Sequence, residues 1–151
     1  STPTGLVLTR QNLPQIEGSS KEALKGGYII DNSTKAEPDA IIIASGSEVS
    51  LAIEAKKLLA GDGIDVRVVS MPSMELFEEQ SLNYQLEVLG RAPVISFEAG
   101  TTFGWNRFAQ KTIGLDSFGA SGPAGELYGH FGLTAETLAD EVKDFIFGKT
   151  I

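Results

Sequence analysis

The chain has 151 residues, 42% of them hydrophobic and 21% charged, with a net charge of −8 and no cysteine. That length suits one domain able to bury about two-thirds of its unfolded surface, and the composition excludes a disordered polymer. The acidic balance excludes a nucleic-acid backbone as partner, and the missing cysteine excludes disulfides, thiolate metal sites and cysteine nucleophiles.

No run approaches the roughly 18 apolar residues of a membrane span, and no basic-then-apolar leader opens the chain. A cysteine-free chain fits a reducing, cytoplasmic setting. A sequence that opens at Ser1 rather than a methionine reads as part of a longer polypeptide.

Taken in order, residues 5–9 (Gly-Leu-Val-Leu-Thr) predict a short strand, halted by the turn formers around Pro14. Ser19-Ser20-Lys21-Glu22 has capping-box spacing and predicts a brief helix through Leu24, stopped by Gly26-Gly27. Tyr28-Ile29-Ile30 reads as a second strand at an edge, and residues 31–38 as a polar loop. Ala40-Ile41-Ile42-Ile43-Ala44 is too short for a lone helix and rich in β-branched isoleucine, the pattern of a strand buried on both faces.

Ser45-Gly46-Ser47-Glu48 then spells a second capping box. It predicts a helix from Ser47 to about Ala60 with Val49, Ala52, Ile53, Ala55, Leu58 and Leu59 facing inward, ending at Gly61-Asp62-Gly63. Residues 64–69 predict a strand parallel to the central one, and 82–89 a helix with Leu82, Leu86 and Leu89 at helical spacing. Residues 93–97 and 111–115 predict two more strands, with a partly helical stretch between them carrying Phe103, Trp105 and Phe108. A turn-rich stretch over 118–123 leads to a helix near 124–131. The final helix is capped by Thr134 and buries Ala135, Leu138, Ala139, Val142, Phe145 and Ile146. The sum is an α/β domain of three layers around a mostly parallel sheet of about five strands.

Each candidate for chemistry has a plainer alternative. Ser45, Gly46 and Ser47 at a helix start could cradle an anion on free amides and the helix dipole, or simply cap the helix. Gly61-Asp62-Gly63 matches the opening of a thiamine diphosphate–magnesium motif, yet no asparagine follows around 88–92 and its place after a helix makes it a turn. Gly148-Lys149-Thr150 ends like a phosphate loop but has Lys143 where the first glycine belongs.

His130, the single histidine, suits a cap or interface better than acid–base work. Glu98 follows a strand at the sheet edge where sites gather, but the sequence names no partner for it, so salt-bridging or amide capping is expected. The acidic groups Glu75-Glu78-Glu79 and Asp140-Glu141-Asp144 read as solvated helix faces. No nucleophile, base and oxyanion hole assemble. The residues predict no catalytic, cofactor-binding or metal-binding position.

Several phrases together resemble the C-terminal domain of the transketolases. They are Leu6-Val7-Leu8-Thr9-Arg10-Gln11-Asn12-Leu13-Pro14, Lys25-Gly26-Gly27-Tyr28, Ala44-Ser45-Gly46-Ser47-Glu48-Val49 and Val68-Val69-Ser70-Met71-Pro72. Ser96-Phe97-Glu98-Ala99-Gly100, Phe118-Gly119-Ala120-Ser121-Gly122-Pro123-Ala124 and Phe131-Gly132-Leu133-Thr134 complete the series.

The resemblance implies residues 1–151 as the C-terminal domain of a longer, homodimeric enzyme that moves a two-carbon ketol unit from a ketose phosphate to an aldose phosphate. Thiamine diphosphate and Mg²⁺ would be bound by two preceding domains, and this domain, with one antiparallel strand in its sheet, would pack against them and a second subunit. No family catalytic residue maps to a position here, so the domain alone is expected to be inactive. Two other readings stay open: a module that binds a phosphorylated effector at Ser45–Ser47, and the matching domain of another thiamine diphosphate enzyme. Apolar surface left by missing domains is expected around Phe103, Trp105, Phe118 and Phe131.

Overall fold

In the computed structural model the described residues are 3–9 and 11–148. Arg10, Lys149 and Thr150, which the sequence reading touched, lie outside them. Five strands form one sheet in the order β1-β3-β2-β4-β5: β1 Tyr28–Asp31, β2 Ala40–Ala44, β3 Val66–Ser70, β4 Val94–Phe97 and β5 Lys111–Ile113. β2 pairs in parallel with both β3 and β4, β5 runs parallel to β4, and only β1 is antiparallel, along β3. All five residues of β2 are fully buried, as a strand with helices on both faces requires.

Helix α1, Glu48–Gly61, follows β2 directly, and its own end is the 61–63 turn predicted from glycine, with Gly63 at φ 79°. α1 packs against the last helix, α5 Ala135–Phe147, on one face of the sheet. Leu59, Leu138, Ala139 and Val142 close that layer around Ala40, Ile42 and Ala44. The other face, carrying Ile41, Ile43 and Val69, is covered by α2 Met74–Glu78, α3 Leu82–Leu89 and a single 3-10 turn at Trp105–Arg107. Helix α4, Ala124–His130, contributes no fully buried residue, although its Tyr128 packs partly buried against the first layer.

Several expectations need correction. Residues 5–9 form no strand; Leu6, Val7 and Leu8 are exposed, Val7 to 98%. The short helix near residue 21 is a 3-10 turn, Lys21–Lys25, and Ser20 rather than Ser19 caps it by accepting from the Glu22 amide. Its end is fixed by Gly26, at φ 84°, where a Cβ would stand 2.3 Å from the Phe77 nitrogen.

Leu58 on α1 and Leu82 and Leu86 on α3 face solvent, because each helix docks along a narrower stripe than leucine spacing alone suggests; Val88 is the buried residue of α3. The short helix α2 was missing from the predicted elements. Its five residues hold too little periodicity to show, although Ser73 caps it by accepting from the Leu76 amide. Trp105 is buried in the second layer, so it offers no exposed surface, and Phe131 is half-buried.

Candidate functional site

The strand order reverses between β2 and β4. The chain leaves β2 through α1 to reach β3 on one side, then crosses back to β4 on the other. In open α/β sheets the crevice outside the carboxyl ends of two such strands is the usual ligand position. Here those ends deliver Ser45 from β2 and Glu98 from β4, and the Ser45 hydroxyl donates to Glu98 Oε2 at 2.5 Å.

The predicted capping box at Ser45–Glu48 does not form. Ser45 Oγ is committed to Glu98, and Ser47, the residue before α1, has helical backbone angles and makes no side-chain cap. Glu48, instead of reaching back to an amide, is buried, only 3% exposed, with its Oε1 accepting from Ser47 Oγ at 2.7 Å and from the hydroxyl of Tyr128 on α4. A carboxylate in the first turn also sits favourably against the positive end of the helix dipole.

The Glu48 and Glu98 carboxyls are close enough for each to bear on the other's ionisation. Burial, first, pushes the Glu98 carboxyl up to about 7, and the neighbouring Glu48 carboxyl pushes it the same way. Donation from Ser45 and from the Gly100 amide opposes the rise. Burial likewise raises the Tyr128 phenol, helped by its bond to Glu48. The site is therefore two carboxyls, two serines and a tyrosine brought together from β2, α1, β4 and α4.

Only part of this was visible in the sequence. Ser45 and Ser47 were singled out for an anion, and Glu98 for its place after a strand, but its partner was not. Glu48 was assigned to a cap, and Tyr128, 80 residues further on, was passed over. The buried Glu48 carboxyl beside the serines works against an anion there. A concave surface of about 330 Å³ opens next to the cluster, lined by Ser47, Ser50, Leu51, Tyr128 and Leu133 among others.

The other candidates stay apart from it. Asp62, of the Gly61-Asp62-Gly63 turn, pairs with Lys143 at 3.1 Å. Among the described residues no three acidic or histidine side chains converge as a metal site would need. His130 is exposed on α4 with its ring edge-on to Phe131. The acidic faces are solvated and paired, Glu78 with Arg107 at 2.9 Å and Glu141 with Lys111. Phe108 packs edge-on against Phe77, whereas Phe103 and Phe118 are 86% and 100% exposed.

Comparison with known proteins adds a consistent result. Residues 26–134 match the family model of the transketolase-like C-terminal domain. Transketolase 1 of Candida albicans is 47% identical over 148 residues, covering 97% of this chain and 22% of its own length. The transketolase of Bacillus subtilis is 47% identical over 154 residues, covering 95% of this chain and 23% of its own. Among solved structures, transketolase from Leishmania mexicana superposes with a TM-score of 0.87 at 40% identity, over 94% of this chain and 21% of that one. The chain thus spans less than a quarter of the length of these relatives. No helix among the described residues is long and apolar enough to cross a membrane.

Proposed function

Since this chain belongs to the transketolase family and forms its C-terminal domain, we propose that it is the docking part of a longer enzyme and performs no ketol transfer by itself. The longer enzyme moves a two-carbon ketol unit from a ketose phosphate to an aldose phosphate. Thiamine diphosphate and Mg²⁺ are held by the two domains outside this chain, and a second subunit completes the dimer. Residues 1–151 act as one folded unit within it, in the cytoplasm.

The observation that carries this reading is the run Leu6-Val7-Leu8. Three aliphatic side chains in sequence, 78% to 98% exposed, touch no core of this chain. Single exposed leucines are commonplace, but a continuous aliphatic run marks a surface covered by something else. Phe118, fully exposed in a turn-rich loop, is of the same kind. A cover supplied by the remaining domains accounts for both.

Hydrogen exchange tests this. Amides of residues 6–8 should exchange at near-random-coil rates in the 151-residue chain and slow by at least tenfold when the chain is part of the longer protein. Equal rates in the two would overturn the docking role.

A further inference from the structure

We propose that the cavity between helix α1 and residues 14–18 binds a small zwitterion with an apolar body, an α-amino acid carrying a large apolar side chain. The cavity measures about 660 Å³, a size that suits small organic ligands. It lies beside β1, at the far end of the strand order from β5, and its lining includes none of Ser45, Glu48 and Glu98. Nor does it use Leu6–Leu8 or Phe118, so the site stands or falls apart from the docking role.

The fold holds the walls in place. α1 presents Ile53, Glu54 and Lys57, which share one face of the helix because Lys57 follows the other two by four and three positions. Residues 14–18 make the second wall. There the Ser19 amide donates to the Ile16 carbonyl at 3.0 Å, which fixes the turn. Gly18 passes so near β1 that a Cβ would stand 1.8 Å from the Ile30 carbonyl oxygen, an approach only glycine permits. Ile30 is the buried floor, with Ile16 and Ile53 half-buried against the core beside it. Asp31 and Asn32 complete the lining, and Lys56 ties both down by donating to the Asp31 carboxylate and the Asn32 carbonyl.

The charges decide what fits. Lys25, Lys35, Lys56, Lys111 and Lys143 each pair with a carboxylate. Among the described residues Lys57 is in no such pair, although it shares the cavity with Glu17, Asp31 and Glu54, and Glu54 is one turn away on its own helix. Asp31 is already matched by Lys56. An entering molecule therefore meets one ammonium on α1 and two carboxylates, one from each wall, with an aliphatic floor between them. Opposite charges that face one space without touching are bridged by a molecule carrying both. The carboxylate of an amino acid meets Lys57, its ammonium lies between Glu17 and Glu54, and its side chain covers Ile16, Ile30 and Ile53. A plain anion would face two carboxylates for one ammonium, and a purely apolar molecule would shield all three charges from water without pairing them.

Isoleucine-methyl NMR of the ¹³C-labelled 151-residue chain tests it. Millimolar L-phenylalanine should shift the Ile16, Ile30 and Ile53 methyls saturably, while those of Ile41 and Ile43, in the opposite layer, hold still. Phenylpropionate, which lacks the ammonium, and phenylethylamine, which lacks the carboxylate, should each bind at least tenfold more weakly. Lys57→Met keeps the aliphatic stem and should remove the advantage of phenylalanine over phenylethylamine. Glu17→Gln combined with Glu54→Gln should remove its advantage over phenylpropionate. All three side chains are exposed, so the variants keep the fold. No saturable shift of the three methyls, equal binding of either truncated probe, or an advantage that survives its variant overturns the proposal.

Discussion

Replacing Glu98 with Gln keeps the shape of the side chain and removes its ability to ionise. A carboxyl raised from 4.5 to about 7 in the folded chain favours folding most when it is protonated. That contribution is complete below pH 4.5 and is lost as the pH rises through 7. At about 1.4 kcal/mol per pH unit the full shift amounts to about 3.4 kcal/mol. Solvent screening at this half-exposed carboxyl reduces it to about 1–2 kcal/mol. The Gln variant escapes the loss, so its stability relative to the parent chain should climb by about 1 kcal/mol between pH 5 and pH 8. With a urea slope of about 1–3 kcal/mol/M, that is a midpoint gain of roughly half a molar at pH 8. Urea unfolding followed by circular dichroism at half-unit pH steps measures it. A stability difference that stays flat across this range, or that grows toward acid, refutes the linkage and the raised Glu98 carboxyl with it.

Tyr128→Phe strips a donor from the buried Glu48 and should cost about 1–3 kcal/mol, with exchange over α4 speeding first because that helix has no buried residue of its own; unchanged exchange there would contradict the tether. Gly26→Ala forces a side chain into positive φ and into the backbone of Phe77 and Ser73, so a loss upward of about 2 kcal/mol is expected in urea unfolding. Leu138→Ala empties a fully buried position between α1 and α5 and should cost about 2–5 kcal/mol. Val7→Asp, by contrast, should leave the 151-residue chain within about 0.5 kcal/mol of its original stability, while lowering the unfolding midpoint of the longer protein.

How far the sequence reached depended on range. β2 and the helices at 48–61, 82–89 and 135–147 were legible because a buried β-branched run, apolar residues at helical spacing, a glycine stop and a threonine cap are local signals. The strand expected at residues 5–9 failed for lack of a neighbour, since alternation says what a segment would pair with and not whether a partner is present. The carboxyl pair was illegible for a similar reason. Ser45 and Glu98 stand 53 residues apart, and only the reversal of strand order brings them together. Glu48 was misread because capping-box spacing is satisfied by sequence alone, whereas the competing claim on its carboxylate comes from Tyr128. Glu98 could have been flagged, as an acidic residue following a buried strand beside a helix start.

The division of labour between this chain and the rest of a transketolase is tested most directly by assaying ketol transfer. The purified 151-residue chain, shown to be folded by circular dichroism, would be supplied with thiamine diphosphate, Mg²⁺, a ketose phosphate donor and an aldose phosphate acceptor. No transfer above the uncatalysed rate is the expected result, with transfer under the same conditions by the longer protein. Turnover by the chain alone would contradict it, because the chemistry would then have to reside in residues 1–151.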